Sequence, residues 1–242
     1  MFLINPYRYV SGGIWTPAVL GPLAWYDPSD NTQNTWDGSG NLTQGNDLSG
    51  NGYHLTAPSG DGPTFSNING NSAWNFNSQY LLNANLPWTG NHCIYTVANL
   101  DTTTGYKYLI SGTDGSLFQI FFGTDSGTRN FMTAYGTGGA WNIAGAAANT
   151  PLTEVALSAD GSTVLSITND NVNSVPRVDG TPLTPKVGVL TNFTGIVLGA
   201  RNSSAVEPWD GRVGETLIFS YPLSPADIIN LDGYYASKWG GK

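Results

Sequence analysis

Short apolar runs separated by turn residues recur along most of the chain. Each run is rich in β-prone residues, and Gly, Asn, Asp or Pro stands between one run and the next. Turn signals at this spacing are typical of antiparallel sandwiches and barrels. We therefore predict strands at 23–26, 73–76, 79–84, 93–100, 106–111, 116–123, 129–135, 153–159, 162–168, 195–200 and 212–219.

The pattern changes in the closing stretch LSPADIINLDGYYASKWGGK. Ser224 suits the N-cap of a helix, Pro225 suits its first position, and Asp227 lies near the positive end of the helix dipole. Apolar residues then follow at helical spacing and form one stripe, namely Ile228, Leu231, Tyr235 and Trp239. We predict one helix, ended by Gly240 and Gly241, that packs on the outside of the sandwich.

Four pieces of the chain carry a resemblance to a known superfamily. They are LAWYDPSD (23–30), DLSGNGYHLT (47–56), AWNFNSQYLL (73–82) and GRVGETLIFSYPLSPADIINLDGYYASKWG (211–240). Together they resemble the laminin-G-like branch of the concanavalin A-like lectin/glucanase superfamily, in the form common in phage structural proteins. The resemblance implies an all-β fold, an antiparallel two-sheet jelly-roll sandwich of about a dozen strands. It also implies binding of sugars or proteins more often than catalysis.

The first 22 residues are set apart from this sandwich. SGG (11–13), Pro17, Gly21 and Pro22 interrupt any regular element there. We predict an N-terminal arm over 1–22, followed by a single lectin-like domain over 23–242. The arm is either a frayed end or edge strand, or a segment that docks on a partner subunit through its apolar side chains, which are Phe2, Leu3, Ile4, Tyr7 and Tyr9.

Composition and charge argue against two classes of partner, nucleic acids and anionic membranes. Charged residues make up 11% of the chain, with 9 basic and 17 acidic residues and no evident Lys or Arg cluster. Nucleic acid and anionic membrane surfaces are therefore poor partners, and no apolar run reaches transmembrane length. The opening MFLINPYRYV has too short an apolar stretch for a signal peptide. We expect a virion surface protein that is released by lysis.

Glu215 is the residue that bears most on catalysis. Glucanases of the superfamily alternate Glu, Asp and Glu along one strand, whereas the positions after Glu215 are Leu217 and Phe219, which cannot transfer protons. Glu215 shares parity with them and with Val213. It is either a buried carboxylate held by a neighbouring hydroxyl, amide or Arg, or it is turned outward by a bulge at Gly214. A lone general acid paired with a distant Asp is the catalytic alternative.

Nucleophilic catalysis has little support. His54 and His92 have no recognisable hydrolase setting. Cys93 follows His92 in an apolar strand, so the two side chains face opposite ways. We predict that Cys93 is a buried structural thiol, and that the protein is not an enzyme.

The stretch NDLSGNGYHL begins like a calcium loop. Asp47, Ser49 and Asn51 stand at positions 1, 3 and 5 with a glycine at position 6, but the closing Glu is replaced by Pro58. Asp27 completes a calcium site if the first strand lies beside this turn. The alternative is an Asx-type turn, in which Asp47 and Asn51 hydrogen-bond nearby backbone amides. No cofactor is required, and calcium is the one candidate.

Tryptophan faces can stack on sugar rings, so the sequence setting of each tryptophan bears on whether it can bind a glycan. Trp25, Trp74 and Trp239 fit inward positions and are predicted to be core. Four others lie in Gly-, Asn- or Pro-rich settings, where each either binds a ligand or plugs a loop against the sandwich edge; these are Trp36, Trp88, Trp141 and Trp209. Trp141 is the first choice among them, with Asn142 beside it as a hydrogen-bonding partner for a hydroxyl.

These observations favour a non-enzymatic phage virion protein that decorates a tail or head or adheres to a host-surface glycan or protein. Its partners would be other virion proteins, in a homo-oligomer or in many copies per particle, so that weak sites act together by avidity. The rivals are a purely structural subunit-contact domain without a glycan site, and a polysaccharide-cleaving glycanase. No nucleic acid and no membrane insertion are expected.

Overall fold

The computed structural model describes residues 8–10, 13–30, 34–58, 61–101, 105–113, 118–124, 130–135, 142–143, 163–170, 172–183, 185–187 and 193–240. The strands of these residues are β1 (Arg8–Val10), β2 (Gly13–Ile14), β3 (Ala24–Tyr26), β4 (Thr35–Trp36), β5 (Leu42–Gly45), β6 (Leu55–Thr56), β7 (Thr64–Ile68), β8 (Asn71–Asn77), β9 (Leu81–Trp88), β10 (Asn91–Leu100), β11 (Gly105–Ser111), β12 (Phe118–Thr124), β13 (Asn130–Tyr135), β14 (Asn142–Ile143), β15 (Thr163–Asp170), β16 (Asn173–Val178), β17 (Thr181–Pro182), β18 (Lys186–Val187), β19 (Phe193–Leu198) and β20 (Asp210–Phe219). A 3₁₀ turn covers Pro17–Leu20, and the helix α1 covers Pro225–Trp239.

Two antiparallel sheets form the sandwich. The first has the order β17-β16-β15-β10-β20-β8-β7, with β18 on β16 and β3 on β20. The second has the order β14-β13-β12-β11-β19-β9-β6-β5-β4, and β1 pairs with β2 separately. Twelve of the strands in the described ranges have four or more residues, which confirms the predicted two-sheet sandwich of about a dozen strands. Every predicted strand in those ranges overlaps an observed one; the prediction at 153–159 lies outside them.

Strand β10 separates two apolar layers. Ile94 and Leu100 belong to the core between the two sheets. Cys93, Tyr95 and Val97 alternate with them and belong to a second core, between the first sheet and α1. Because both faces of β10 are covered, every residue after Asn91 is buried instead of every second one. Cys93 is fully buried, as predicted.

The C-terminal helix follows the prediction closely. The Ser224 side chain accepts a hydrogen bond from the Asp227 N–H, Pro225 is the first helical residue, and Gly240 ends the helix with φ of 74°. The predicted stripe is the buried face that contacts the first sheet, made of Ile228, Leu231, Tyr235 and Trp239. No helix in the described part of the chain is long and apolar enough to cross a membrane.

A β-bulge in β20 changes which way Glu215 points. Between two regular pairings, Gly214 and Glu215 lie opposite the single residue Val97. Val213 therefore faces the core between the sheets, whereas Glu215 turns to α1. A Cβ on Gly214 would lie 2.9 Å from the Trp239 ring, so glycine makes room for the indole. The predicted shared parity of Glu215 and Val213 is wrong, and the bulge at Gly214 is the reason.

The end of the N-terminal arm lies against α1. Trp15 and Leu20 pack on the core beneath the helix, and the Trp15 ring meets the Tyr234 ring edge-on at 5.9 Å. Tyr9 lies in β1. The other predicted docking residues, Phe2, Leu3, Ile4 and Tyr7, lie outside the described residues. The boundary between arm and sandwich after residue 22 stays a prediction.

Candidate functional site

The Asp47 turn is built on one carboxylate that accepts four hydrogen bonds. Asp47 Oδ1 accepts from the backbone N–H of Trp25 and of Ser49, both at 2.9 Å. Asp47 Oδ2 accepts from Ser49 Oγ at 2.8 Å and from the Tyr53 N–H at 3.0 Å. His54 Nδ1 accepts a hydrogen bond from the Asp47 N–H at 3.1 Å. This is the hydrogen-bonding pattern of an Asx-type turn.

The same turn is fastened to strand β3. Asn51 Nδ2 donates to the Leu23 carbonyl at 3.0 Å, and the Leu48 N–H donates to the Trp25 carbonyl at 2.8 Å. The buried Tyr26 hydroxyl donates to the Tyr53 carbonyl at 2.7 Å. Burial, and then the charge of Asp47, raise the pKa of Tyr26. The turn therefore acts as a clamp between the start of the sandwich and β6.

Asp27, the fourth residue predicted to bind calcium, has a partner of its own. Asp47, Ser49 and Asn51 share the turn, and Asp27 Oδ2 lies 2.5 Å from Lys238 Nζ on α1. That Asp27 completes a calcium site at the turn stays a prediction. Across the described ranges there is no group of three or more His, Cys, Asp or Glu that could hold a metal ion.

A second carboxylate cluster lies between the first sheet and α1. Glu215 is fully buried there. Its Oε1 accepts from the Trp25 indole N–H at 2.7 Å and from the Tyr234 hydroxyl at 3.0 Å. Its Oε2 accepts from Lys238 Nζ at 2.9 Å and from the Trp239 indole N–H at 3.1 Å. We call these residues, together with Asp27, the Glu215 cluster.

Lys238 joins the two carboxylates of the Glu215 cluster. Its side chain is 20% exposed, and its Nζ lies 5.5 Å from the centre of the Tyr234 ring and 5.4 Å from that of Trp239. Burial and the charge of Asp27 raise the pKa of Glu215, and the positive charge of Lys238 opposes them. Two carboxylates thus share one ammonium in a site lined by aromatic rings.

Sequence reasoning found Glu215 but not its partners, which are a lysine, two indoles and a tyrosine. Tyr234 and Lys238 are four residues apart, which places both on one face of α1, and this spacing is the signal that was missed. Because Glu215 is fully buried, a polysaccharide in solution has no access to it. The rest of the cluster is less buried, since the Lys238 side chain is 20% exposed and Trp25 and Tyr234 are half-buried.

The prediction that Trp88 and Trp209 bind a sugar is wrong. Trp88 is 2% exposed and Trp209 is fully buried, so neither presents a ring face to a ligand. Trp88 donates from its indole to the Gly195 carbonyl at 2.8 Å and meets the ring of His92. Both fill the core between the sheets, as Gly- and Pro-rich surroundings do not by themselves indicate exposure.

The three tryptophans predicted to be core are all at least half-buried. Trp74 and Trp239 are almost fully buried, as predicted. Trp25 is half-buried and packs against the core beneath α1, with its indole N–H engaged by Glu215. Burial lowers the pKa of His92 to about 4.

Trp36 lies at the edge of the sandwich. It stands in β4, the last described strand of the second sheet, and faces Phe65 in β7, the last of the first sheet. The two rings meet edge-on with their centres 6.4 Å apart. Phe65 is 48% exposed, and Trp36 is half-buried against the core between the sheets. We call this pair the Trp36–Phe65 edge; Phe65 was missed because its strand, TFSNI, was not predicted.

Polar groups surround the Trp36–Phe65 edge. Asp37, the next residue after Trp36, accepts from the Ser39 N–H and the Asn41 N–H at 2.8 Å, and from Asn41 Nδ2 at 2.9 Å. The hydrogen bonds from Asn41 hold the pKa of Asp37 below its usual value. An exposed aromatic ring beside a fixed carboxylate suits a sugar, whose ring stacks while its hydroxyls donate.

Trp141, the first choice among the predicted sugar-binding tryptophans, lies outside the described residues. Asn142 begins β14, the edge strand at the opposite end of the second sheet from β4. The prediction that these two residues bind a sugar is therefore still to be tested.

Comparison with solved structures places the fold among known β-sandwich domains. Domain 4 of AbnA, an extracellular arabinanase from Geobacillus stearothermophilus solved with arabinotriose, matches with a TM-score of 0.65 and 16% identity, over 87% of this chain and 98% of that domain. The binding domain of Paraclostridial Mosquitocidal Protein 1 matches with a TM-score of 0.59 and 15% identity, over 84% of this chain and 51% of that one. The Trypanosoma rangeli sialidase matches with a TM-score of 0.62 and 12% identity, over 96% of this chain and 35% of that one.

These similarities show the fold, which agrees with the predicted lectin-like sandwich. No protein-family model matches the sequence, and no curated protein matches it significantly. The chain spans nearly all of the arabinanase domain but only about half of the toxin domain and a third of the sialidase.

Proposed function

We propose that this chain is a non-enzymatic, lectin-like binding domain of a phage virion that attaches to a host-surface glycan or protein. The observation that carries the proposal is the match along almost the whole length of an arabinanase domain solved with arabinotriose. A second match is to a domain named for binding. The match to a sialidase covers only 35% of that chain. It therefore carries no argument that the present chain is catalytic.

The Trp36–Phe65 edge supports binding of a glycan. It combines a half-exposed aromatic ring with an adjacent carboxylate held in place by three hydrogen bonds. Preorganised polar groups beside an aromatic surface lower the entropy cost of binding. A shallow edge of this kind binds weakly, and display in many copies on a particle compensates through avidity.

The Glu215 cluster supports a role other than cleavage. Glycoside hydrolysis needs two carboxylates that flank a bound sugar. Glu215 and Asp27 are instead bridged by Lys238 and covered by α1. Displacing the helix to admit a substrate would break the buried ion pairs and the core beneath the helix.

A glycan array tests the proposal directly. The purified chain, multimerised on beads to restore avidity, is expected to bind a subset of host-type glycans. Phe65→Ala removes the exposed ring and should lower binding several-fold. Tyr221→Ala, which removes an exposed aromatic on another surface, serves as the matched control. Trp141→Ala tests the sequence-derived site in the same array.

The outcomes separate the rivals. Absence of binding to every glycan on the array would favour a purely structural subunit-contact domain and count against adhesion to a glycan. Binding that depends on Trp141 and not on Phe65 would move the site to the opposite end of the second sheet. Labelling with an antibody against the chain, imaged on intact phage particles, tests the virion setting.

A further inference from the structure

We propose that Lys238 and Asp27 form a spontaneous intramolecular amide bond, an isopeptide cross-link, with Glu215 as the proton carrier. This proposal is independent of what the domain binds. The three side chains come from three distant parts of the chain: strand β20, the residue after β3, and the last turn of α1. Folding therefore assembles the site from elements that would otherwise be held only by non-covalent contacts.

The nucleophile, Lys238 Nζ, contacts the carboxyl group that it would attack. Lys238 Nζ lies 2.5 Å from Asp27 Oδ2 and 2.9 Å from Glu215 Oε2. Asp27 is 8% exposed and Glu215 is fully buried. Holding two reactants in contact in this way replaces a bimolecular encounter with an intramolecular step and removes much of its entropic barrier.

The reaction begins with a proton transfer within the ion pair. Lys238 Nζ passes one proton to Asp27 Oδ2, which leaves a neutral amine and a neutral carboxylic acid. The rings of Trp25, Tyr234 and Trp239 line the Glu215 cluster. A neutral amine has the free electron pair that attack on a carbonyl requires.

The reaction balances without any co-reactant. The amine nitrogen of Lys238 attacks Cγ of Asp27, and a C–N bond forms. Glu215 accepts a proton from this nitrogen and delivers it to Oδ2, which already carries the acid proton. The C–Oδ2 bond then breaks and Oδ2 leaves as water. Glu215 ends as it began, nothing is oxidised or reduced, and the product is an amide.

Ser29 prepares the other oxygen of Asp27. Asp27 Oδ1 accepts from the Ser29 N–H at 2.9 Å and from Ser29 Oγ at 2.6 Å. Two donors aimed at one carboxyl oxygen stabilise the negative charge that develops there when the nitrogen attacks, as in an oxyanion hole. Ser29 thus keeps Oδ1 as the carbonyl oxygen and leaves Oδ2 to depart.

Intact-mass measurement of the whole chain under denaturing conditions tests the proposal. The expected mass is lower than the sequence mass by one water. Proteolysis should yield a branched peptide that joins the segment with Asp27 to the segment with Lys238, and trypsin should fail to cut after Lys238. The full sequence mass in the folded wild-type chain would overturn the proposal without any variant.

Matched variants assign the roles. Lys238→Arg keeps the positive charge but removes the nucleophile and should restore the full mass, whereas Lys107→Arg, outside the cluster, should leave the cross-link intact. Glu215→Gln should reduce the cross-linked fraction at least tenfold. Asp27→Asn should lose one ammonia in place of one water wherever the bond still forms. Persistence of the mass deficit in Lys238→Arg would contradict the assignment, and a thermal melt of each variant shows that it is folded.

Discussion

Two carboxylates in this molecule are each held by four hydrogen bonds, yet they are held in different ways. Asp47 accepts three backbone N–H groups and one hydroxyl, and two of the donors belong to Ser49, two residues away. Glu215 accepts only from side chains, including one ammonium, and its donors lie 19 to 190 residues away. Trp25 joins the two sites, since its backbone N–H binds Asp47 and its indole N–H binds Glu215.

The source of the hydrogen-bond donors determines what each carboxylate contributes to the fold. The Asp47 turn is satisfied by neutral dipoles, and three of its four hydrogen bonds come from donors within six residues of Asp47. The Glu215 cluster exists only after the first sheet and α1 have met, and it concentrates unlike charges in a buried place. The Asp47 turn fixes a local segment of the chain, whereas the Glu215 cluster joins the first sheet to α1.

The largest expected effect is at Glu215. In chains without the proposed cross-link, Glu215→Ala leaves Lys238 without one partner and removes the acceptor of the Trp25 indole N–H, and breaking a buried pair in this way costs about 3–5 kcal/mol. Urea unfolding measures the loss. Glu207→Ala is the control, because Glu207 forms a half-exposed pair with Arg201, and such pairs contribute about 0–1 kcal/mol. Equal losses for the two variants would show that the Glu215 cluster has no special role in stability.

The next effect is at Asp47. Asp47→Ala removes a charged acceptor from partly buried N–H groups, and each such hydrogen bond contributes about 1.5–3 kcal/mol. Because the turn lies near the surface, water replaces part of the loss, so we expect a smaller destabilisation than for Glu215→Ala. Asp37→Ala, in a similar turn at the exposed edge, should cost less again. A loss at Asp47 larger than at Glu215 would reverse the comparison.

A pH series sharpens the comparison further. The pKa of Glu215 is raised by burial and by Asp27, so the native state holds this proton more tightly than the unfolded chain. Stability should therefore fall as pH rises from the usual glutamate range to the raised pKa of the native state. The stability advantage of wild type over Glu215→Gln is expected to shrink across that window. An advantage that grows with pH would show that Lys238 outweighs burial.

The smallest expected effect is that of calcium. All four hydrogen bonds to Asp47 come from the protein, and Asp27 is engaged by Lys238. Addition of a chelator should therefore leave the melting temperature unchanged. A drop of several degrees that calcium reverses and magnesium does not would restore the calcium loop suggested by the spacing of Asp47, Ser49 and Asn51.

The sequence predicted those parts of the fold that depend on neighbours along the chain. The N-cap at Ser224, the stripe ending at Trp239 and the end at Gly240 all follow from local rules. Strands of two residues were not predicted, since a pair such as Leu55–Thr56 has too few positions to show alternation. TFSNI was missed for a related reason, because its two apolar residues, Phe65 and Ile68, lie on opposite faces and show no alternation.

The candidate site was harder to predict, because it depends on contacts between distant segments. Trp88 and Trp209 have loop-like sequence surroundings and yet fill the core. Glu215 was recognised as unusual, but its partners Trp25 and Lys238 lie 190 and 23 residues away. A single inserted residue, the bulge at Gly214, decided which layer Glu215 faces, and the alternation of β20 does not reveal it.

Binding and cleavage measured on the same sample test the central claim most directly. The chain is incubated with host-cell-wall and capsular polysaccharides, and bound protein and newly released reducing ends are both counted. We predict binding that Phe65→Ala weakens, with no release of reducing ends above a heat-denatured control. Release of reducing ends that is abolished in Glu215→Gln would contradict the account and make this sandwich an enzyme.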